Sequence, residues 1–159
     1  MRIAIAGEAP CELAPVRRAV RRAVRPYRLP RDAEVQVAFI SDEDMRALNK
    51  RFRRIDRTTD VLSFGEAVPA RDRGARAIAD IEERRTKNGG RFDLGEILIS
   101  PEQAKRQARR RKKPVVEEVA FLAVHGVLHL LGYEDETPAG YREMVRLGHD
   151  ATGQKFVKR

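Results

Sequence analysis

The stretch Val115–Asp135, VVEEVAFLAVHGVLHLLGYED, decides how the rest of the chain must be arranged. Its helical part is apolar on nearly every side, so it belongs at the centre of the molecule with other layers packed around it. The most apolar portion, Val119 to Leu131, is too short to cross a bilayer. Gly132 suits the left-handed residue that ends a helix. His125 and His129 are four apart, so their imidazoles leave the same face and can share one metal ion. The turn at Gly132 brings Glu134 and Asp135 back towards the helix end, where either carboxylate can supply a third ligand and leave one coordination position for water. Two histidines on a buried helix can also be ordinary core residues. Here, though, two of the chain's three histidines share one face of its most apolar segment and are followed at once by a turn and acids, which favours the metal. Gly126 stands where the zinc-protease motif carries its general base, so protease chemistry lacks its central residue. Glycine also costs about 1 kcal/mol of helix propensity against alanine; its place here points to close approach by backbone or substrate, or to tight packing on a sheet.

Working outward, the periodicities predict alternating strands and helices before the central helix. Arg2 to Ala6 and residues 33 to 40 alternate as strands do, and Leu13 to Tyr27 repeats apolar residues at helical spacing with Arg17, Arg18, Arg21, Arg22 and Arg25 off that stripe. Ser41 and Asp44 resemble a capping box opening a helix towards Lys50. Residues 61 to 64 and 94 to 100 are short apolar runs suited to buried strands. Ser100 and Pro101 then open a basic helix through the run Arg109 to Lys113, and Thr137 with Pro138 opens the last one. The expectation is a single α/β domain spanning 1–159: a mixed, roughly four-stranded sheet covered by about five helices, with the metal helix central. The charge-dense stretch 66–93 reads as a flexible insertion.

Lys plus Arg number 33 against 24 Asp plus Glu, a formal charge of +9 that favours a polyanionic partner. The start of the chain lacks the long apolar core of a signal peptide, and the single Cys11 cannot form an internal disulfide, so a cytoplasmic setting without membrane attachment is expected. Aromatic residues are only 6% of the chain, which argues for electrostatic capture of a phosphate backbone by the basic helices rather than a sequence-reading RNA module.

Three blocks carry a resemblance: LNKRFRRIDRTTDVLSF at 48–64, LGEILIS at 94–100 and HGVLHLLGYED at 125–135. In order and spacing they resemble the YbeY family of bacterial endoribonucleases of ribosomal RNA maturation. The resemblance implies a zinc-dependent endoribonuclease acting on single-stranded RNA in the setting of the small ribosomal subunit, with no DNA substrate. It assigns His125 and His129 as metal ligands and Arg53 as the residue that handles phosphate. The family pattern ends in Gly-Tyr-Asp-His, whereas this chain has Gly-Tyr-Glu-Asp, so Asp135 occupies the third ligand position and Glu134 is the alternative. A carboxylate there adds negative charge and admits a divalent metal harder than zinc. Departures at Ile55 and Thr58, where the family has Lys and Pro, are local. Asp56, Thr59 and Asp60 suit turn formation rather than chemistry. Glu118 either orients a ligand histidine or favours the N-terminus of the central helix. The competing reading is a non-catalytic ribosome assembly factor with a structural metal; a metallopeptidase is disfavoured by Gly126.

Overall fold

The computed structural model describes residues 1–65, 83, 87 and 89–154. Their order is β1 (Arg2–Ala6), α1 (Leu13–Val24), a 3-10 turn (Arg25–Tyr27), β2 (Glu34–Phe39), α2 (Asp42–Arg53), β3 (Val61–Phe64), β4 (Asp93–Ile99), α3 (Pro101–Arg111), α4 (Val115–Leu130) and α5 (Pro138–Thr152). The expected insertion at 66–93 lies mostly outside the described residues; Glu83 and Lys87 are helical and pair at 2.8 Å, and Asp93 already belongs to β4.

The four strands form one mixed sheet in the order β1-β2-β4-β3. β1, β2 and β4 run parallel, and β3 lies antiparallel along the outer side of β4, Leu62 opposite Leu98. Strand alternation divides the core between the two faces. Val35, Val37, Phe39, Ile97 and Ile99 join Val16 and Val20 of α1 and Val119, Ala123 and Val127 of α4 in the main core. Ala38, Leu62 and Leu98 point the other way, onto Met45 of α2. The sheet is therefore sandwiched, with α1, α4 and α5 packed together on one side and α2 on the other.

Capping explains where the helices begin. The side chains of Ser41, Ser100 and Thr137 each accept a hydrogen bond from the backbone N–H three residues on, opening α2, α3 and α5. Asp42 ties two of these ends together: it accepts from Ser100 Oγ, Thr58 Oγ1 and Arg106 Nη2. The helix expected over Leu13–Tyr27 is α-helical only to Val24, because Pro26 interrupts it and the last turn tightens to 3-10.

Gly126 is a packing residue. A Cβ built on it would lie 2.5 Å from Ile97 Cγ2 and 3.2 Å from Ser63 Oγ, so only glycine lets α4 settle this closely on β4 and β3. Ser63 Oγ donates to the Gly126 carbonyl at 3.2 Å, joining helix to strand at the same point.

Glu118 is fully buried, and its carboxylate pairs with the Arg111 guanidinium. It is thereby a cross-brace between α3 and α4. Of the two roles expected for it, it does lie in the first turn of α4, where an acid favours the helix N-terminus, and it also holds part of the basic run.

Candidate metal centre

The end of α4 is built by a Schellman turn. Gly132, at φ 87°, follows Leu131; the N–H of Gly132 donates to the His129 carbonyl at 3.0 Å, and that of Tyr133 to the Leu128 carbonyl at 3.1 Å. The reversal sends the next residues back along the helix. Tyr133 is held from the far side by a hydrogen bond between its hydroxyl and that of Tyr27, the rings meeting edge-on. Fixed in this way, the turn carries Asp135 to the two histidines.

His125 Nε2 lies 3.1 Å from Asp135 Oδ2 and 3.1 Å from His129 Nε2, and His129 Nε2 lies 3.5 Å from Asp135 Oδ2. One ligand atom from each residue falls within 4.8 Å of the others. Ligands about 2.0–2.1 Å from a tetrahedral ion stand about 3.3 Å apart, so the triangle has the right size for one metal.

Protonation agrees. His129 Nδ1 donates to the Tyr133 carbonyl at 3.1 Å, which fixes the tautomer and leaves the Nε2 lone pair facing the centre. Burial, reinforced by His125 beside it, outweighs the pull of Asp135 and lowers the His129 pKa, keeping the ring neutral at pH 7. The His125 hydrogen bond, with further attraction from both imidazoles, holds the Asp135 carboxyl down to about 2 despite partial burial. A neutral imidazole and an ionised carboxylate are the forms in which these side chains bind metal. His125 Nδ1 is buried without a hydrogen-bond partner among the described residues; its ring is oriented by near-parallel stacking on Phe121.

Glu134 has other work. Its carboxylate accepts from the backbone N–H groups of Glu136 and Thr137 and from Thr137 Oγ1, bracing the turn into α5. In this geometry Asp135, not Glu134, reaches the centre.

The centre opens into a cleft of about 320 Å³ bordered by the α4 end, β3 and the C-terminus of α2. Arg53 closes α2 and lines this cleft opposite the histidines; Arg54, left-handed at φ 58°, caps the helix just beyond it. Ser63, Thr59 and Asp60 also line the cleft. Ser63 was not legible as a site residue, because only pairing of β3 with β4 brings it there. Asp60 shapes the strand entry as expected: Oδ1 accepts from the Val61 N–H at 2.8 Å and Oδ2 from Gln107 at 2.9 Å. Asp56 lies outside the cleft, paired with Arg46 and Lys50.

Among the described residues no helix is long and apolar enough to cross a membrane. Comparison with known proteins agrees with the geometry. Residues 12–154 match the family described as Endoribonuclease YbeY. Proteins of that name are similar to this chain: one from Moorella thermoacetica is 42% identical over 71% of this chain and 67% of its own length, and one from Acholeplasma laidlawii 35% identical over 80% and 79%. The solution structure of TM1509 from Thermotoga maritima superposes with a TM-score of 0.58 at 25% identity, covering 95% of this chain and 89% of that one. A fold, a metal-competent triad and a sequence match running almost from end to end converge: the chain belongs to the YbeY family of endoribonucleases.

Proposed function

We propose that this protein is a zinc-dependent endoribonuclease that cuts single-stranded RNA during ribosomal RNA maturation and ribosome quality control, in the cytoplasm and in contact with the small ribosomal subunit. The reading rests above all on the convergence of His125 Nε2, His129 Nε2 and Asp135 Oδ2 on one point at the mouth of a cleft that also holds Arg53.

His125, His129 and Asp135 would hold one ion. A bound divalent ion supplies Lewis acidity towards phosphoryl oxygens and lowers the pKa of a water. Arg53 offers a planar fork of N–H donors to the phosphoryl oxygens that gain charge as the phosphodiester is cleaved. Tyr133 keeps the His129 lone pair aimed at the centre through its carbonyl. Asp135 contributes a negative charge where the family pattern has a neutral imidazole, which would make a bound ion a weaker Lewis acid and would favour somewhat harder metals.

Elemental analysis of the purified chain and its variants tests the assignment. Zinc near one equivalent is expected in the parent, with strong loss in His125→Ala and Asp135→Ala and retention in Asp135→His. Cleavage of single-stranded RNA should vanish with a chelator and return with metal. Full zinc in Asp135→Ala would remove Asp135 as a ligand; metal-loaded parent without RNA cleavage would remove the enzymatic reading.

A further inference from the structure

Phe52 is one of two large apolar side chains exposed on the described surface, with 55% of its area open to solvent. It immediately precedes Arg53, the residue of α2 that lines the cleft. The ring is fixed in place by edge-on packing against Phe64, centroids 5.0 Å apart and planes at 65°. Phe64 ends β3, the strand whose Val61, Leu62 and Ser63 line the cleft, so Phe52 is anchored to both elements that border the site.

The surroundings are cationic. The Arg51 guanidinium carbon lies 5.3 Å from the Phe52 ring centroid, and Arg53 and Arg54 follow in sequence. On the same helix Arg46 and Lys50 are held by Asp56 at 2.8 and 3.1 Å. Among the described residues no carboxylate ion pair engages Arg51, Arg53 or Arg54.

We propose that Phe52 is a substrate-binding residue: it stacks on a base next to the cleaved phosphate, while Arg51 and Arg54 follow the flanking backbone. The inference rests on the ribonuclease reading of the cleft and adds to it the element that selects unpaired RNA. Every base has a π face, and an exposed aromatic set among arginines is the combination that single-strand binders use. Side chains of consecutive helical residues diverge by about 100°, so a phosphate held by Arg53 meets Phe52 only through a neighbouring nucleotide free to turn its base out of the strand, as unpaired RNA is. A duplex does not offer that face, because its bases are already stacked on one another. Selection is then for unpaired bases with little regard to their identity.

The test uses the zinc-loaded full chain and a short single-stranded RNA carrying 2-aminopurine at successive positions, with an abasic series in parallel. In the parent, 2-aminopurine fluorescence should be quenched at one position beside the cut, and an abasic site there should weaken binding about tenfold. Phe52→Leu should abolish that quench, bind intact RNA about tenfold more weakly and lose the abasic penalty; Phe52→Trp should keep all three. Thermal melts establish that both variants fold. Parent-like binding by Phe52→Leu, or an unchanged abasic penalty in it, overturns the stacking role. Cleavage followed in the same samples separates the two readings. Stacking without metal-dependent cleavage defeats the ribonuclease reading alone, and cleavage indifferent to Phe52 defeats the stacking role alone.

Discussion

Replacing Gly126 by Ala puts a methyl group where α4, β4 and β3 meet. The new carbon would stand 2.5 Å from Ile97 Cγ2 and 3.1 Å from its Cγ1. Carbon atoms rest about 3.5–4.0 Å apart, so helix and sheet must part by roughly 1 Å. Ile97 cannot swing aside: it is β-branched, stiff at χ1 and fully buried. Alanine gains about 1 kcal/mol of helix propensity, while overpacking costs about 1–3 kcal/mol. A net destabilisation of about 1 kcal/mol is expected. Zinc affinity should fall as well, because His125 adjoins the displaced residue. Ile97→Ala alone opens a cavity and costs about 2–5 kcal/mol. Joined to Gly126→Ala it should cost less, since the new methyl occupies part of that space. Urea unfolding of the four metal-free proteins measures this coupling, expected at about 1 kcal/mol or more. A Gly126→Ala protein as stable as the parent, with strictly additive effects in the double variant, would refute the packing argument.

Arg53→Ala should lower kcat for RNA cleavage by about 10²–10³ with zinc content unchanged, and Arg53→Lys should recover only part; equal kcat in parent and Ala variant counts against phosphate handling. Arg111→Met should destabilise by about 3 kcal/mol because it strips the buried Glu118 of its guanidinium, the low end of the usual range since Arg111 is one-third exposed. Adding Glu118→Met should restore most of that loss in denaturant titrations, and failure to do so would deny the brace between α3 and α4. Burial alone would raise the Asp42 pKa, but donors from Ser100, Arg106 and Thr58 outweigh it and hold the carboxyl below its ordinary value. A lowered folded pKa contributes stability that is fully present above the unfolded value near pH 4 and is lost as pH falls through the folded one. Asp42→Asn should therefore be less stable at pH 7 and show a shallower acid decline below about pH 4 in urea midpoints; an identical acid slope would contradict the linkage.

Local pattern carried much of the architecture. The alternation of Arg2–Ala6 and the short apolar run at 61 to 64 predict two strands at their observed bounds, and the Ser100 and Thr137 caps predict where α3 and α5 begin. Gly132 ends the central helix as its sequence position implies, because that turn is made by consecutive residues. What depends on distant partners was not readable. Nothing near Ser63 announces Gly126, and the placement of β3 outside β4 follows from pairings that no periodicity encodes. His125, His129 and Asp135 were legible because helix spacing and one turn bring them together. The resemblance placed Asp135 in the third position with Glu134 as the alternative, and only the folded chain shows that Glu134 is engaged by the backbone of Glu136 and Thr137. Arg53 was distinguishable from Arg51, Arg54 and Arg57 only by resemblance, since all four lie in one basic run.

The position of β3 on the outside of the sheet has a consequence for how a long polymer is handled. Among the described residues the cleft runs beside an outer strand as an open notch. A strand can be laid in sideways at any internal point, with no terminus to thread and no limit on the length hanging off either side. Structured stretches up and down the chain need not melt, provided the few nucleotides at the notch are open. On the proposed ribonuclease reading, both halves of a cut strand lift out by the same lateral route.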